Sequence, residues 1–283
     1  MKRNKDNPFD ILRNRAMISL GPISSNKHCP YSCLFCYVPN GFLQYSSLEI
    51  PDICKYLEAH KDEFETIYIS GDTDSFAPPR SDKGMSLLKR LAKEFHKDIL
   101  ITTRVNMDDS MVNDLLNIKN ILASRNKYLY VCISISTPDD NLIIEPLPIP
   151  TVDCRIETLK RLKNAGIISI LAMRPLLPIY QTDDYIRLID TCSSSVDLIL
   201  GEVWYHDPCL KMWEAVTGEA KIHRGTSKRT QLPFDGSNRE WEEWSDHQMV
   251  KEITNYCESR NIPFYMESSC ALNYLRSRTC VSK

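Results

Sequence analysis

The sequence predicts an α/β protein, a partial parallel (β/α)6 barrel of six strand–helix units with a C-terminal extension. Three observations lead there. Apolar runs of strand length alternate six times with segments of helical periodicity between Met17 and Trp204, which implies crossover connections and a parallel sheet. None of the strands is followed by a G-x-G-x-x-G fingerprint, so a partial barrel is favoured over a doubly wound dinucleotide-binding sheet. After Trp204 the rhythm stops.

Met17–Gly21 is the first strand and feeds the loop Pro22–His28. Ser47 caps a helix that runs to about His60, with Ile50, Ile53, Tyr56 and Leu57 on one face. Thr66–Ser70 is the second strand, closed by Gly71-Asp72-Thr73-Asp74, and Ser81 starts a helix to about Phe95. Ile99–Thr103 is the third strand, followed by a helix over Asp109–Ile118. Tyr128–Ser136 is the fourth; the prolines from Pro138 to Pro150 after it exclude both helix and central strand. Arg155–Asn164 is helical and stops at Gly166. Ile167–Met173 is the fifth strand, Asp183–Cys192 a helix and Val196–Trp204 the sixth strand. In the extension, Pro208–Asp235 reads as irregular, Arg239–Arg260 as a helix, Pro263–Met266 as an extra strand and Cys270–Arg276 as a short helix. Trp241, Trp244 and His247 are expected to join that long helix to the barrel.

The chain is expected to divide into a core, residues 1–204, and an extension, 205–283, packed on it as a substrate-specificity element. With 283 residues, 42% hydrophobic and 25% charged, it can bury a substantial core. No apolar run approaches the length of a membrane span, and the polar N-terminus has no signal-like apolar region. Eleven cysteines without such a signal read as reduced thiols plus a cofactor site, which suggests a cytoplasmic protein. A net charge of −2 provides no global field to attract nucleic acid or anionic lipid.

Chemistry concentrates in Cys29-Pro-Tyr-Ser-Cys33-Leu-Phe-Cys36-Tyr37, directly after the first strand and its loop. Thiolates are soft ligands for iron–sulfur clusters, copper(I) or zinc, and three of them leave one metal position open. Pro30 argues for a loop. Two other readings stand beside the cluster: a buried thiol stripe on a helix, and a structural zinc site completed by His28 or a remote cysteine. Parallel barrels place their chemistry at the C-terminal ends of strands. The second strand ends in Ser70, Gly71 and Asp72, where a glycine permits close backbone approach and strand-end carbonyls can accept from an ammonium group. On the fourth strand, the period of two puts Tyr130, Cys132, Ser134 and Ser136 on one face and Val131, Ile133 and Ile135 on the other.

The x3, x2 cysteine spacing with Phe35 before the last cysteine resembles the signature of the radical S-adenosylmethionine (SAM) superfamily. Ser134-Ile-Ser-Thr137, Glu145-Pro146, Arg155, Ala165-Gly166 and Arg174-Pro175-Leu176-Leu177-Pro178 together resemble the spore photoproduct lyase branch, over roughly Met17 to Pro178. The resemblance implies a [4Fe–4S] cluster on Cys29, Cys33 and Cys36, with SAM chelating the fourth iron. It also implies SAM-binding roles for Phe35, Tyr37, Ser70, Gly71, Asp72, Thr103, Ser134, Ser136 and Arg174, with the Phe35 carbonyl facing the adenine. The expected activity is reductive cleavage of SAM to a 5′-deoxyadenosyl radical that abstracts a hydrogen atom. An external one-electron reductant such as flavodoxin or ferredoxin would feed it.

The lyase's hydrogen-donor cysteine has no counterpart between Cys54 and Cys132. The best basic run, His223–Arg229, is short, so a nucleic-acid substrate is suggested by the resemblance but not favoured by charge. A peptide or small molecule is the alternative substrate, and a non-catalytic zinc-binding interaction module the alternative outside enzymes. Tyr205, His206 and Cys209, just after the sixth strand, are the candidate catalytic residues for radical relay or proton transfer. Cys257, Cys270 and Cys280 lack the close C-x2-C pair expected of a second cluster.

Overall fold

A computed structural model describes residues 10–12, 14–20, 29–38, 49–218, 222, 224–232 and 240–281. Ser47, the loop 22–28 with His28, and His223 lie outside the described residues. The elements are β1 (Asp10–Leu12), β2 (Arg15–Ile18), α1 (Ile50–Ala59), β3 (Thr66–Ile69), α2 (Ser81–Glu94), β4 (Asp98–Thr103), α3 (Asp109–Ala123), β5 (Leu129–Ser134), α4 (Val152–Asn164), β6 (Ile168–Met173), α5 (Thr182–Cys192) and β7 (Leu198–Gly201). The extension adds β8 (Trp204–His206), α6 (Lys211–Thr217), β9 (Thr226–Thr230), β10 (Trp241–Ser245), α7 (His247–Ser259), β11 (Phe264–Tyr265) and α8 (Ser268–Val281).

The main sheet runs β1-β2-β3-β4-β5-β6-β7-β11, with β2 to β11 parallel and β1 antiparallel at the edge. This is the open parallel barrel that the alternation predicts. Residues from Trp204 on contribute in two ways: β8, β10 and β9 form a separate antiparallel sheet, and β11 extends the main one. No described helix is long and apolar enough to cross a membrane.

The strand faces sort two cores. Val131, Ile133 and Ile135 of the β5 segment pack outward in the large core beneath the helices, while Tyr130 and Cys132 face inward. The inward core joins them to Tyr68, Leu100, Ile170, Ala172, Leu198 and Leu200, and α8 fills it with Ala271, Leu272 and Leu275. At the far end of α8, Arg276 donates to Asp98 and Thr66, the first residues of β4 and β3. The helix therefore runs through the concave side of the barrel from mouth to base.

Three expectations are corrected. The helix over Arg239–Arg260 is instead β10 followed by α7, because β10 pairs with both β8 and β9. The i, i+3 spacing of Trp241 and Trp244 imitates a helix. The true start is marked by Asp246, whose carboxylate accepts from the Gln248 and Met249 amides as an N-cap. Pro208–Asp235 is not wholly irregular, since it holds α6 and β9. The strand Val196–Trp204 breaks after Gly201, where the chain leaves the main sheet.

Gly84 brings α2 against the loop after β3: a Cβ there would lie 2.1 Å from the Ser75 carbonyl oxygen. Helix propensity alone would reward alanine by roughly 1 kcal/mol. The clash is with backbone, so Gly84→Ala is expected to destabilise the fold by about 1–3 kcal/mol, read as a lower denaturant midpoint. A stabilised variant would refute the close approach.

Candidate functional site

A cavity of about 430 Å³ opens at the C-terminal ends of the parallel strands. One wall is the cysteine loop: Cys29, Cys33, Phe35, Cys36 and Tyr37 all line it. The loop is a turn, with the Cys36 amide donating to the Cys33 carbonyl at 3.1 Å, so the thiols are not a helical stripe. It is fastened at two further points. The Leu34 amide donates to the Ile144 carbonyl at 3.0 Å, and the Asp74 amide donates to Cys29 Sγ at 3.4 Å. Burial pushes all three thiols up, Cys33 to about 12.

The end of β3 forms the next stretch of wall. Ser70 is held in the left-handed region at φ 67°, with its Oγ accepting from the Ser75 amide. Strain of this kind at a non-glycine residue clusters at functional sites. A Cβ at Gly71 would lie 2.9 Å from Met17 and 3.2 Å from the Tyr68 ring, both lining the cavity, so the glycine lets the backbone pack closely against them. Asp72 accepts from Ser19. Asp74 sits deeper, accepting from Thr103 Oγ1 and from the amides of Phe76, Ala77 and Arg104. Burial raises the pKa of its carboxyl above the ordinary value, against those hydrogen bonds.

Across the mouth, Arg174 is gripped by Glu202 through two hydrogen bonds, of 3.0 and 2.8 Å. Trp204 at the start of β8 donates its indole N–H to the Phe35 carbonyl at 3.1 Å, and Trp241 meets the Tyr37 ring edge-on at 6.2 Å. The small sheet thus packs onto the cysteine loop, with Tyr205 and Glu243, opposite each other in register, both lining the cavity. Burial and then the carboxylates Glu202, Glu243 and Glu267 push the Tyr205 phenol well above its usual range.

Of the residues singled out in the sequence, Cys29, Cys33, Cys36, Phe35, Tyr37, Ser70, Gly71, Asp72, Thr103, Ser134, Arg174 and Tyr205 are brought together around this one cavity. Three are placed elsewhere. Ser136 is fully buried, donating to the Arg174 carbonyl and accepting from Arg104. His206 alternates with Tyr205 along β8 and so lies on the opposite face, buried against Trp204 and Trp213, where burial lowers its pKa. Cys209 is exposed in the turn before α6.

Sequence reasoning missed Arg104, Glu202 and the start of α8. The first two follow β4 and β7 directly, so the strand-end rule applied to every strand would have found them. Ser268 and Ser269 reach the cavity only through the path of α8, which no local pattern announces.

The residues present fit a cluster with SAM. Three thiols, none of them in a disulfide, share one wall. Thr73 Oγ1 is buried in the same wall without a hydrogen-bond partner among the described residues. Such an orphaned hydroxyl is costly unless a ligand meets it.

Comparison with known proteins bears on the fold and the family. No curated protein matches the chain. Among solved structures, it is similar to spore photoproduct lyase complexed with dinucleoside spore photoproduct: 14% identity, 88% of this chain and 81% of that chain covered, TM-score 0.58. It is also similar to the radical SAM methyltransferase TsrM from Kitasatospora setae, bound to tryptophan substrate and a SAM analogue. There the identity is 10%, with 86% of this chain and 51% of that chain covered, TM-score 0.53. At such identities these likenesses show a shared fold. The Radical SAM superfamily model matches residues 23–192, more than half of the sequence and the whole span from the cysteine loop to α5. By that match the chain belongs to the Radical SAM superfamily, and it is an enzyme.

Proposed function

We propose that this enzyme binds a [4Fe–4S] cluster through Cys29, Cys33 and Cys36, holds SAM in the adjoining cavity, and abstracts a hydrogen atom from a substrate bound beside Tyr205. The observation that carries the reading is the convergence of thiols, strand-end polar groups and Tyr205 on one cavity. When bound and given one electron by a reductant such as flavodoxin or ferredoxin, cluster and SAM supply a 5′-deoxyadenosyl radical.

The chain's own contribution is placement and exclusion of water. The Ser70–Asp72 turn offers carbonyls and a carboxylate to an ammonium group, and Thr73 Oγ1 gains the partner it lacks. Thr103 is already engaged with Asp74 and fixes that turn against β4. Ser134 lines the cavity from β5. Arg174 spends Nε and Nη2 on Glu202, which orients the guanidinium and leaves Nη1 for a carboxylate. The Phe35 carbonyl has two lone pairs, one of them taken by Trp204, so it retains acceptor capacity for an adenine amino group. The small sheet over the mouth serves as the substrate-specificity element.

A net charge of −2, which gives no global field to attract phosphates, favours a small-molecule or peptide substrate over a nucleic acid. Nucleic-acid binding, if present, should weaken steeply with salt.

The test is anaerobic reconstitution with iron and sulfide, then dithionite and SAM. The expected products are 5′-deoxyadenosine and methionine, or turnover of SAM in the presence of substrate. Zinc in place of iron and sulfide, with no cleavage of SAM, would support the interaction-module alternative and defeat the proposal.

A further inference from the structure

Beside the cysteine loop stands a guanidinium that the proposed function does not use. Arg104 follows β4, and its charged head stacks over the Phe35 ring at 5.5 Å. Its fork is fixed, with Nε on Glu145 Oε1 at 3.2 Å and Nη2 on Ser136 Oγ at 3.2 Å, and its amide donates to Asp74 at 2.7 Å. Glu145 cannot cancel it alone. The same carboxylate holds Arg155 at 2.7 Å and accepts from Thr137, and Arg155 and Glu145 are 2% and 3% exposed. One carboxylate therefore serves two guanidiniums. The guanidinium sits over Phe35, a residue between Cys33 and Cys36 in the loop, and Arg104 lines the same cavity as both thiols, with Asp74 the other carboxylate facing it.

We propose that Arg104 sets the reduction potential of the cluster held by Cys33 and Cys36, its positive charge favouring the state with one more electron. The inference rests on the cluster assignment above. A [4Fe–4S] unit on three thiolates becomes more negative on reduction, and cluster potentials respond to nearby charge and hydrogen bonding. In a water-poor site, a cation at this range interacts far more strongly than at the surface. Phe35 keeps Arg104 from collapsing onto the sulfurs, and Glu145 and Ser136 keep it from turning away.

The experiment is an anaerobic redox titration of the reconstituted full chain, followed by electron paramagnetic resonance of the reduced cluster, for wild type, Arg104→Gln and Arg104→Lys. Arg104→Gln should shift the reduction equilibrium at least tenfold against the reduced form, a midpoint about 59 mV lower for one electron. Arg104→Lys, which keeps the charge, should stay nearer the wild type. Equal midpoints in wild type and the Gln variant, or equal shifts in the Gln and Lys variants, would overturn the proposal. Should the Gln variant fold by circular dichroism yet hold no cluster, retention by the Lys variant supports the charge role, and loss in both refutes it. A wild-type protein that binds no iron and sulfide would instead show that the cluster assignment itself fails.

Discussion

Replacing any one of Cys29, Cys33 or Cys36 by alanine is expected to strip iron and sulfide from the reconstituted protein and abolish SAM cleavage. Loss of a group that hydrogen-bonds a metal ligand typically costs about 10–100-fold in affinity or activity, so loss of a ligand itself should exceed about 100-fold. The fold should survive. The loop is held by the Leu34–Ile144 hydrogen bond and by Trp204 on Phe35, which use no thiol, and Cys29→Ala would lose only the Asp74 amide contact in addition. Iron and sulfide content, visible absorbance and product chromatography, beside a circular-dichroism melt, separate the two effects. A folded single variant that retains a [4Fe–4S] cluster and cleaves SAM would remove that cysteine from the ligand set.

The largest effect on stability is expected from Glu145→Gln. Glu145 is buried between Arg155 and Arg104, and removing one member of a buried ion pair leaves the other charge uncompensated, at about 3–5 kcal/mol. Burial raises the pKa of this carboxyl, but the two guanidiniums and their hydrogen bonds outweigh it, and the folded value lies below the ordinary 4.5. For a depressed carboxylate, the stabilising contribution is complete above the unfolded pKa and disappears as pH falls through the folded one. Wild-type stability should therefore decline on acidification below the ordinary carboxylate range, and the variant, already without this contribution, should show a shallower slope. Urea unfolding at neutral and acid pH measures both. Equal slopes would show that the pair contributes nothing through its ionisation. Because Ile144 is tied to Leu34, the variant should also load its cluster less completely.

The barrel was legible because its strands and helices are locally self-announcing. Buried parallel strands such as Leu129–Ser134 are continuous apolar runs, and Gly166, at φ 65°, stops α4 where only a left-handed residue fits. Site residues at strand ends were readable for the same reason: the fold fixes where a strand end points. The extension was harder to read. The three residues of β8 are defined by their partner β10, forty positions away, and pairing at that distance leaves no periodic trace in either segment. His206 illustrates the cost. Adjacency to Tyr205 suggested a shared role, but neighbours on a strand face opposite ways, and only knowledge that 204–206 is extended separates them. Arg104 was within reach of the strand-end rule, but its contacts to Glu145 and Phe35 come from segments that meet only in space.

The passage of α8 through the barrel bears on how the enzyme is made. Arg15, at the start of the first parallel strand, hydrogen-bonds Ser268 at the head of that helix, across 253 positions of sequence. The cysteine loop is synthesised early, but the inner packing that closes the floor of its cavity is not available until residues 271–275 emerge. Until then Leu100, Ile170 and Leu198 on the concave face of the sheet lack the packing that Ala271, Leu272 and Leu275 supply. Contacts of such separation form late and leave apolar surface exposed meanwhile. The pocket proposed for the cluster is therefore finished only when α8 has docked.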